Sequence, residues 1–562
     1  MQRQWVLPPA TDPLASGRLL RQLEVPSFLA SLLVRRGFSD PEAADGYLNP
    51  KLRSLGSPEL LPGIASAADR VLEAVAKRER IVLYGDYDVD GVTSLAILSR
   101  VFKCFGADVA CFLPLRVEEG YGLSAAGLER CCTTLHPQLL IAVDCGTTSV
   151  REIASLRDRG IDVVVLDHHE PGPRLPDCTA LVNPKCGDSL HYLCSAGVAF
   201  KLAHVMQKRS QIEGLDLRHF LDMVAMATIA DIVPLIGENR ILVRHGLQQM
   251  AQTRWPGIAA LMRVAGVTAP VRGSDVGFRL GPRINAAGRL GPAQEALRLL
   301  LTDDLDEASR LADGLDRHNR ERQSVERAVS LEADEWIDGN FDPERDVAIV
   351  AGRRDWHVGV LGVVASRVMR RHHRPTFIIG FDEAGIGKGS GRSIEGLSLV
   401  NLLRECSEHL EKFGGHDMAA GVSIQESAFP AFQEAFASAA RKVATEDLLT
   451  PRLKLDVEIE LHDLDSSLLE FQDSIEPFGS ANLQPVFFTR SISPAGTPRV
   501  MKEKHLKIDF SAGRRRFPAV FFNAQLDSLP RPPWDVAYTL DWNVWQGRAE
   551  AQMRVVDLRK AA

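Results

Sequence analysis

The 562-residue chain has no C-x-x-C pair, no run of eighteen or more apolar residues, no internal repeat and no low-complexity tract. The first absence argues against a cysteine-held zinc or a dithiol redox site. The nine cysteines, scattered from Cys104 to Cys406, read instead as small buried residues of a reducing compartment. The second excludes a membrane-spanning helix. The opening residues MQRQWVLPPATDPL show no basic region leading into an apolar segment, so the expected location is cytoplasmic, with no membrane contact. What remains is an ordinary globular composition, long enough for three or four domains at roughly 100–200 residues each. An excess of positive charge is also missing. The formal net charge of −7 looks wrong for a nucleic-acid binder, but the charge is unevenly spread. Between Arg353 and Arg374 six arginines and three histidines face the single acid Asp355, and RLGPRINAAGRLGP at 279–292 holds Arg279, Arg283 and Arg289 with no acid. Local basic ground of this kind can hold phosphates on an acidic protein.

Along the chain the patterning changes four times. Residues 19–50 carry two short helical patterns separated by Gly37 and Ser39-Asp40-Pro41, a stop and a restart, giving a helical lead-in over 1–50. From about residue 78, the apolar runs RIVLYGD, ADVACFLPLR, LLIAVDCG and DVVVLDHHE alternate with helix-length segments. That alternation predicts an α/β domain with a mainly parallel sheet covered on both faces, over 51–303. A charged stretch with recurring Leu and Ala suits a long connecting helix over 304–340, and VAIVAG, VGVLGVVASRVMRR and PTFIIGF start a second α/β domain over 341–448. After Pro451 the strict alternation of LKLDVEIEL and the short runs HLKIDF, FPAVFF, VAYTLDWNVW and AQMRVV predict a small C-terminal β-barrel over 449–562.

The chemistry is concentrated at strand ends. GDYDVDG at 85–91 sets Asp86, Asp88 and Asp90 at alternate positions directly after an apolar run. By itself it reads equally as a polar turn or as a cation site, since crowded carboxylates repel unless a metal or a shared proton holds them. Two further predicted strands end in an acid, IAVD at Asp144 and VVLD at Asp167, the latter followed by His168 and His169; Asp231 ends the helical run LDMVAMATIA. Open α/β sheets bind ligands at the carboxyl ends of their strands, so these acids should converge. Mixed carboxylate and imidazole donors favour two divalent cations, Mn²⁺ or Mg²⁺, over structural zinc, and a metal pair suits phosphoester hydrolysis.

The ordered series DYDVDG, VDCGTTS, LDHHE and ATIADIVPL resembles the DHH phosphoesterase superfamily. With RVEEGYGLS, GPRINAAGRLG, DWHVGVLGVVASR, GSGRS and FGGH in the expected order, it resembles in particular that superfamily's single-strand-specific DNA exonucleases, over most of the chain. The resemblance implies a DHH-type domain, a DHHA1 domain and an OB-like barrel. It puts Asp86, Asp88, Asp144, His168 and Asp231 on metal-ligand positions, with Asp144 as the bridge. Asp90, Asp167 and His169 would orient ligands or meet the scissile phosphate. Ser390, Arg392 and Ser393 of GSGRS would receive the 5′ end. His416 of FGGH, Arg283, Arg289 and Arg116 would meet the DNA. The implied activity is metal-dependent digestion of single-stranded DNA from the 5′ end to mononucleotides, the strand threading between the two α/β domains, in recombination and mismatch repair. The implied partners are single-strand-binding protein and a repair helicase, and the expected state is a monomer. Taken alone, GSGRS reads more readily as a flexible loop and Gly414-Gly415 as a turn. One departure stands out: Ala481-Asn482-Leu483 replaces a segment in which the family more often carries glycine, then asparagine and proline, implying a looser turn. The rival readings are another DHH phosphodiesterase, acting on oligoribonucleotides or cyclic dinucleotides, and a non-catalytic DNA-binding scaffold.

Overall fold

The computed structural model describes residues 3–115, 119–120, 122–188, 190, 192–464, 466–502, 504–545 and 548–561. Two compact units divide the chain, one of Pro8–Arg317 with Leu455–Ala562, the other of Met1–Leu7 with His318–Lys454.

The larger unit holds a five-stranded, all-parallel sheet. Its strands lie in the order Ala110–Phe112, Ile81–Gly85, Leu139–Val143, Asp162–Leu166 and Ala180–Val182. Alternate side chains feed two separate cores. Leu83, Ile141 and Val164 pack on one face with the helices Val89–Cys104 and Ser195–Arg209, and Tyr84, Leu140 and Val165 pack on the other with Ala125–Leu135 and Val150–Asp158. Burial on both faces is why these strands are continuous apolar runs. The second strand of the chain lies to one side of the first and all later strands to the other, so the direction of winding reverses between Ile81–Gly85 and Leu139–Val143.

The lead-in has three helices where the sequence shows two patterns: Pro13–Leu23, Ser27–Arg35 and Pro41–Leu48. Asp40 starts the last by accepting the Ala43 N–H at 2.9 Å, with Pro41 in the first turn. Leu19, Leu29 and Leu33 of these helices share one core with Phe487, Phe510 and Tyr538 of the barrel, so the two ends of this unit's sequence bury each other.

The barrel's seven-stranded sheet runs in the order Val457–Glu458, Phe487–Ile492, Trp534–Trp545, Arg548–Lys560, Arg515–Phe522, His505–Ala512 and Arg499–Met501. The single strand expected for LKLDVEIEL is split. Arg452–Lys454 pairs in parallel with Gln4–Val6 in the smaller unit, and Val457–Glu458 pairs with Phe487–Phe488 in the larger. Asp456 makes the change of partner, its N–H donating to the Val486 carbonyl and its carboxylate accepting the Val486 N–H, both at 2.8 Å.

The smaller unit is a five-stranded mixed sheet ordered Lys412–Gly415, Ala419–Gln425, Ile386–Arg392, Thr376–Phe381 and Ile349–Arg354. The helix Leu305–Asn340 carries the chain into it from the larger unit. GSGRS, loop-like by composition, lies largely in the strand Ile386–Arg392, and the two glycines of FGGH lie in the edge strand Lys412–Gly415. The glycines of GSGRS are there for packing: a Cβ on Gly391 would stand 2.4 Å from the Phe377 ring, and one on Gly389 would stand 2.7 Å from Ile379 and Val422.

Candidate metal centre

Strand register brings the acids into one row. Gly85 pairs with Val143 and Val143 with Leu166, so Asp86, Asp144 and Asp167 are each the first residue beyond aligned positions at the carboxyl edge. Asp86 and Asp144 flank the reversal of winding, where a doubly wound sheet leaves its crevice. Asp88 caps the helix Val89–Cys104, its Oδ1 accepting the N–H of Asp90 at 2.9 Å and of Gly91 at 3.1 Å. The turn reading and the cation reading of DYDVDG therefore describe the same residues. Gly91 is needed because the helix start folds back on Asp86, whose carbonyl oxygen would be 2.3 Å from a Cβ.

The helix Gly281–Leu290 braces this loop. Asn285 Oδ1 accepts the Val89 N–H at 3.1 Å, and a Cβ on Gly288 would stand 2.9 Å from the Tyr87 carbonyl oxygen. Ala286 and Ala287 are fully buried. The small residues of GPRINAAG thus serve packing against the loop.

Three overlapping groups place donor atoms within 4.8 Å of one another: Asp86, Asp88 and Asp144; Asp144, His168 and His169; and Asp90, His168 and Asp231. Asp144 and His168 each belong to two groups. His168 Nε2 is buried without a hydrogen bond, 3.4 Å from Asp144 Oδ1, 3.5 Å from Asp231 Oδ2 and 3.7 Å from Asp90 Oδ2. Burial first, then the neighbouring His169, lowers its pKa to about 3, leaving the neutral imidazole that metals bind. Burial and then mutual repulsion push the carboxyls the other way: Asp90 rises to about 6, Asp231 to about 8, and Asp144 well above the usual carboxylate range. Repelling buried acids around an imidazole nitrogen that lacks a hydrogen bond are a donor set that fits divalent cations. Asp144 also holds a left-handed backbone, φ 62°, its N–H fixed to the Leu166 carbonyl at 2.9 Å.

The remaining predicted acids are tied to backbone N–H groups. Both oxygens of Asp90 accept backbone N–H groups at the start of the helix Ser195–Arg209, Ser195 at 2.7 Å and Ala196 at 2.8 Å. Asp167 Oδ1 lies 2.7 Å from His169 Nδ1 and accepts the N–H of His168 and His169, while its Oδ2 accepts the Thr147 N–H at 2.9 Å. Burial works to raise the Asp167 pKa, but these hydrogen bonds and the His169 charge hold it far below the usual range. Burial lowers and Asp167 raises the pKa of His169, with a net rise. Asn183 Nδ2 closes the network on Thr147 Oγ1 at 2.8 Å and the His169 carbonyl at 2.9 Å. Ser195 and Asn183 lie outside the recognised motifs, and Thr147 and Asn285 lie within VDCGTTS and GPRINAAGRLG without any mark of their individual roles.

Of the expected DNA contacts, Arg283 is taken up by buried Asp316, at 2.9 Å, and by the Arg279 carbonyl. Arg289 lies on the same helix, and Arg116 falls outside the described residues. In the smaller unit, Arg392 forms no ion pair among the described residues, and burial lowers its pKa. Its Nη1 donates to Ser390 Oγ at 3.1 Å, and a Cβ on Gly362 would stand 2.9 Å from its Nη2. Ser393 is fully buried with its hydroxyl on the Leu397 carbonyl at 2.6 Å, and His416 is exposed, its N–H on the Ala419 carbonyl.

Set against known proteins, the DHH family N-terminal domain matches residues 80–228, the DHHA1 domain 346–442 and the RecJ OB domain 455–557. The single-stranded-DNA-specific exonuclease RecJ of Thermus thermophilus is 38% identical over 98% of this chain and 78% of its own length. The chain belongs to the RecJ family. The RecJ exonuclease of Bacillus subtilis is 34% identical over 96% of this chain and 69% of its own. Crystal structures of T. thermophilus RecJ with Mn²⁺ and with Mg²⁺ superpose with TM-scores of 0.86 and 0.80 at 34% and 31% identity, each covering 100% of this chain and 80% and 79% of theirs. The RecJ fold is thus present throughout: a parallel-sheet DHH domain, a second α/β domain and an OB-like barrel. Among the described residues no helix is long and apolar enough to cross a membrane.

Proposed function

We propose that this RecJ-family chain is a metal-dependent exonuclease that hydrolyses single-stranded DNA from its 5′ end and releases mononucleotides. The observation that carries the reading is the set of donor groups linked through Asp144 and His168 in a chain of this family. Asp86, Asp88 and Asp144 would hold one divalent cation, and Asp144, His168 and Asp231 the other. When bound, the two cations activate water for in-line attack and offset charge on the phosphoryl and leaving oxygens.

The chain's own groups position and neutralise. Asp88 keeps the loop closed on the helix start, so the first cation's donors stay together. Asp167 holds His169, whose ring is thereby oriented to donate to a non-bridging oxygen of the scissile phosphate. In the smaller unit, the half-buried guanidinium of Arg392 beside Ser390 Oγ suits the terminal 5′ phosphate, because a cation without a carboxylate partner attracts an anion. Ser393 supports that strand from beneath, and His416, Arg289 and Arg116 are assigned to the DNA backbone. Arg283 acts on the DNA indirectly, by holding its helix to Asp316.

The same reading divides the chain into a lead-in at 1–50, the catalytic domain at 51–303, the connecting helix at 304–340, the second α/β domain at 341–448 and the barrel at 449–562. It places the enzyme in the cytoplasm as a monomer, working in recombination and mismatch repair beside single-strand-binding protein and a helicase. The test is a digestion time course with Mn²⁺ or Mg²⁺ on single-stranded DNA labelled at either end, on a duplex and on RNA, beside Asp144→Ala. Early mononucleotides from the 5′ label, an intact duplex and an inactive variant are expected. Binding without cleavage under both metals would favour a scaffold, and cleavage confined to short RNA or cyclic dinucleotides another DHH phosphodiesterase.

A further inference from the structure

Asp144 belongs to two of the three donor groups, and something must fix which way its carboxylate points. Strand geometry does not do so alone, because Asp144 has left the strand conformation at φ 62°. The hydroxyl of Ser195, which is 0% exposed, donates from Oγ to Asp144 Oδ1 at 3.0 Å. Ser195 is the first residue of the fifteen-residue helix Ser195–Arg209, preceded by Cys194, whose side chain makes no cap hydrogen bond. The helix start is held instead by Asp90, which accepts the N–H groups of Ser195 and Ala196. Asp90 belongs to the loop that also carries Asp86 and Asp88. A continuous chain of contacts therefore links one donor loop to the other: Asp90, the helix start, the Ser195 hydroxyl and Asp144.

We infer that Ser195 is a positioning residue for the metal pair, its hydroxyl setting the rotamer in which the Asp144 carboxylate serves both cations. The inference rests on the metal-centre reading above and adds to it a residue outside every recognised motif of the chain. A serine hydroxyl suits the task, because it has one proton to give and remains neutral beside several carboxylates. Groups that orient metal ligands typically change metal affinity ten- to a hundredfold when removed.

The experiment is calorimetric titration of Mn²⁺ into the metal-stripped full-length protein, with the melting temperature of each metal-free sample recorded alongside. The variants are Ser195→Ala, Asp144→Ala and, as a packing control, Val198→Ala, which truncates a fully buried residue of the same helix. Ser195→Ala is expected to retain two sites but bind at least one Mn²⁺ about ten- to a hundredfold more weakly, while Val198→Ala binds as the parent does. Ser195→Cys, a weaker donor of similar size, is expected to fall between parent and alanine variant, and it serves as the probe if the alanine variant does not fold. Parent-like affinity in the Ser195 variants, or an equal loss in Val198→Ala, overturns the positioning role. Parent-like binding by Asp144→Ala instead overturns the metal-centre reading itself, whatever Ser195 does.

Discussion

Ala481 occupies a left-handed backbone position, φ 57°, at an exposed turn. An L-residue there is strained by about 1–2 kcal/mol, only partly offset by the greater freedom glycine has in the unfolded chain. Ala481→Gly should therefore raise stability by about 0.5–1 kcal/mol in urea titrations, the reverse of the usual sign. The turn is nevertheless not the looser one its sequence implies. Asn482 is 4% exposed and accepts from Arg36 Nη1 at 2.6 Å and the Tyr47 hydroxyl at 2.7 Å, while donating to the Pro477 carbonyl at 2.7 Å. Asp222 offers a pH test. Fully buried, it accepts the Thr253 hydroxyl at 2.6 Å and the Met223 N–H at 2.8 Å, and burial raises its pKa to about 6. Because the folded value lies above the unfolded one near 4, the unfolded state ionises first as pH rises. The contribution of Asp222 to stability is therefore fully present below about pH 4, falls between about pH 4 and 6, and is level above. Asp222→Asn should remove that slope, gaining on the order of 3 kcal/mol over the parent between pH 4 and 7, as read from paired denaturation curves. Residues of this kind mark what a sequence conceals: acids massed at strand ends announce Asp86, Asp144 and His168, whereas the partners of Asp222, Ser195 or Asn285 exist only after folding.

The DYDVDG turn depends on the helix behind it as much as on the strand before it. Gly91→Ala would drive a methyl into the Asp86 carbonyl, so the loop would have to open and pull Asp86 away from Asp144. The expected result is a fall in kcat/KM on the order of a hundredfold with weakened Mn²⁺ binding, checked by initial rates and calorimetry on the same sample. Elements buried on both faces were legible because their apolar runs are unbroken, as in LLIAV and DVVVL. GSGRS was misleading for a physical reason: its glycines make room for Phe377, Ile379 and Val422, and packing of that sort leaves no local signal. LKLDVEIEL misled differently, since an alternating pattern reports exposure of alternate residues and not which strand lies alongside.

Within the larger unit the barrel is clamped to the catalytic domain by arginines. Arg240, 3% exposed, donates to the carbonyls of Tyr47 at 2.9 Å, Ile475 at 3.0 Å and Ser474 at 3.3 Å, with its guanidinium carbon 3.9 Å from the Tyr47 ring centre. Arg244 holds the carbonyls of Asp473 and Glu476, and Arg272 their carboxylates. Arg240→Met should cost about 3 kcal/mol, seen as a lower urea midpoint, because three carbonyls lose their charged donor in a buried place. The same joint reaches the metal centre, for the Leu235 N–H, four residues past Asp231, donates to the Ser480 carbonyl at 2.8 Å. A last consequence concerns synthesis. Gln4 pairs with Arg452, which is made 452 − 4 = 448 residues later, and Leu19, Leu29 and Leu33 share their core with residues beyond Leu455. At roughly 5–20 residues per second the ribosome needs about 20–90 s to supply those partners. Throughout that interval the lead-in helices lack the barrel residues that complete their core, and a premature stop within the barrel would leave that core unfinished.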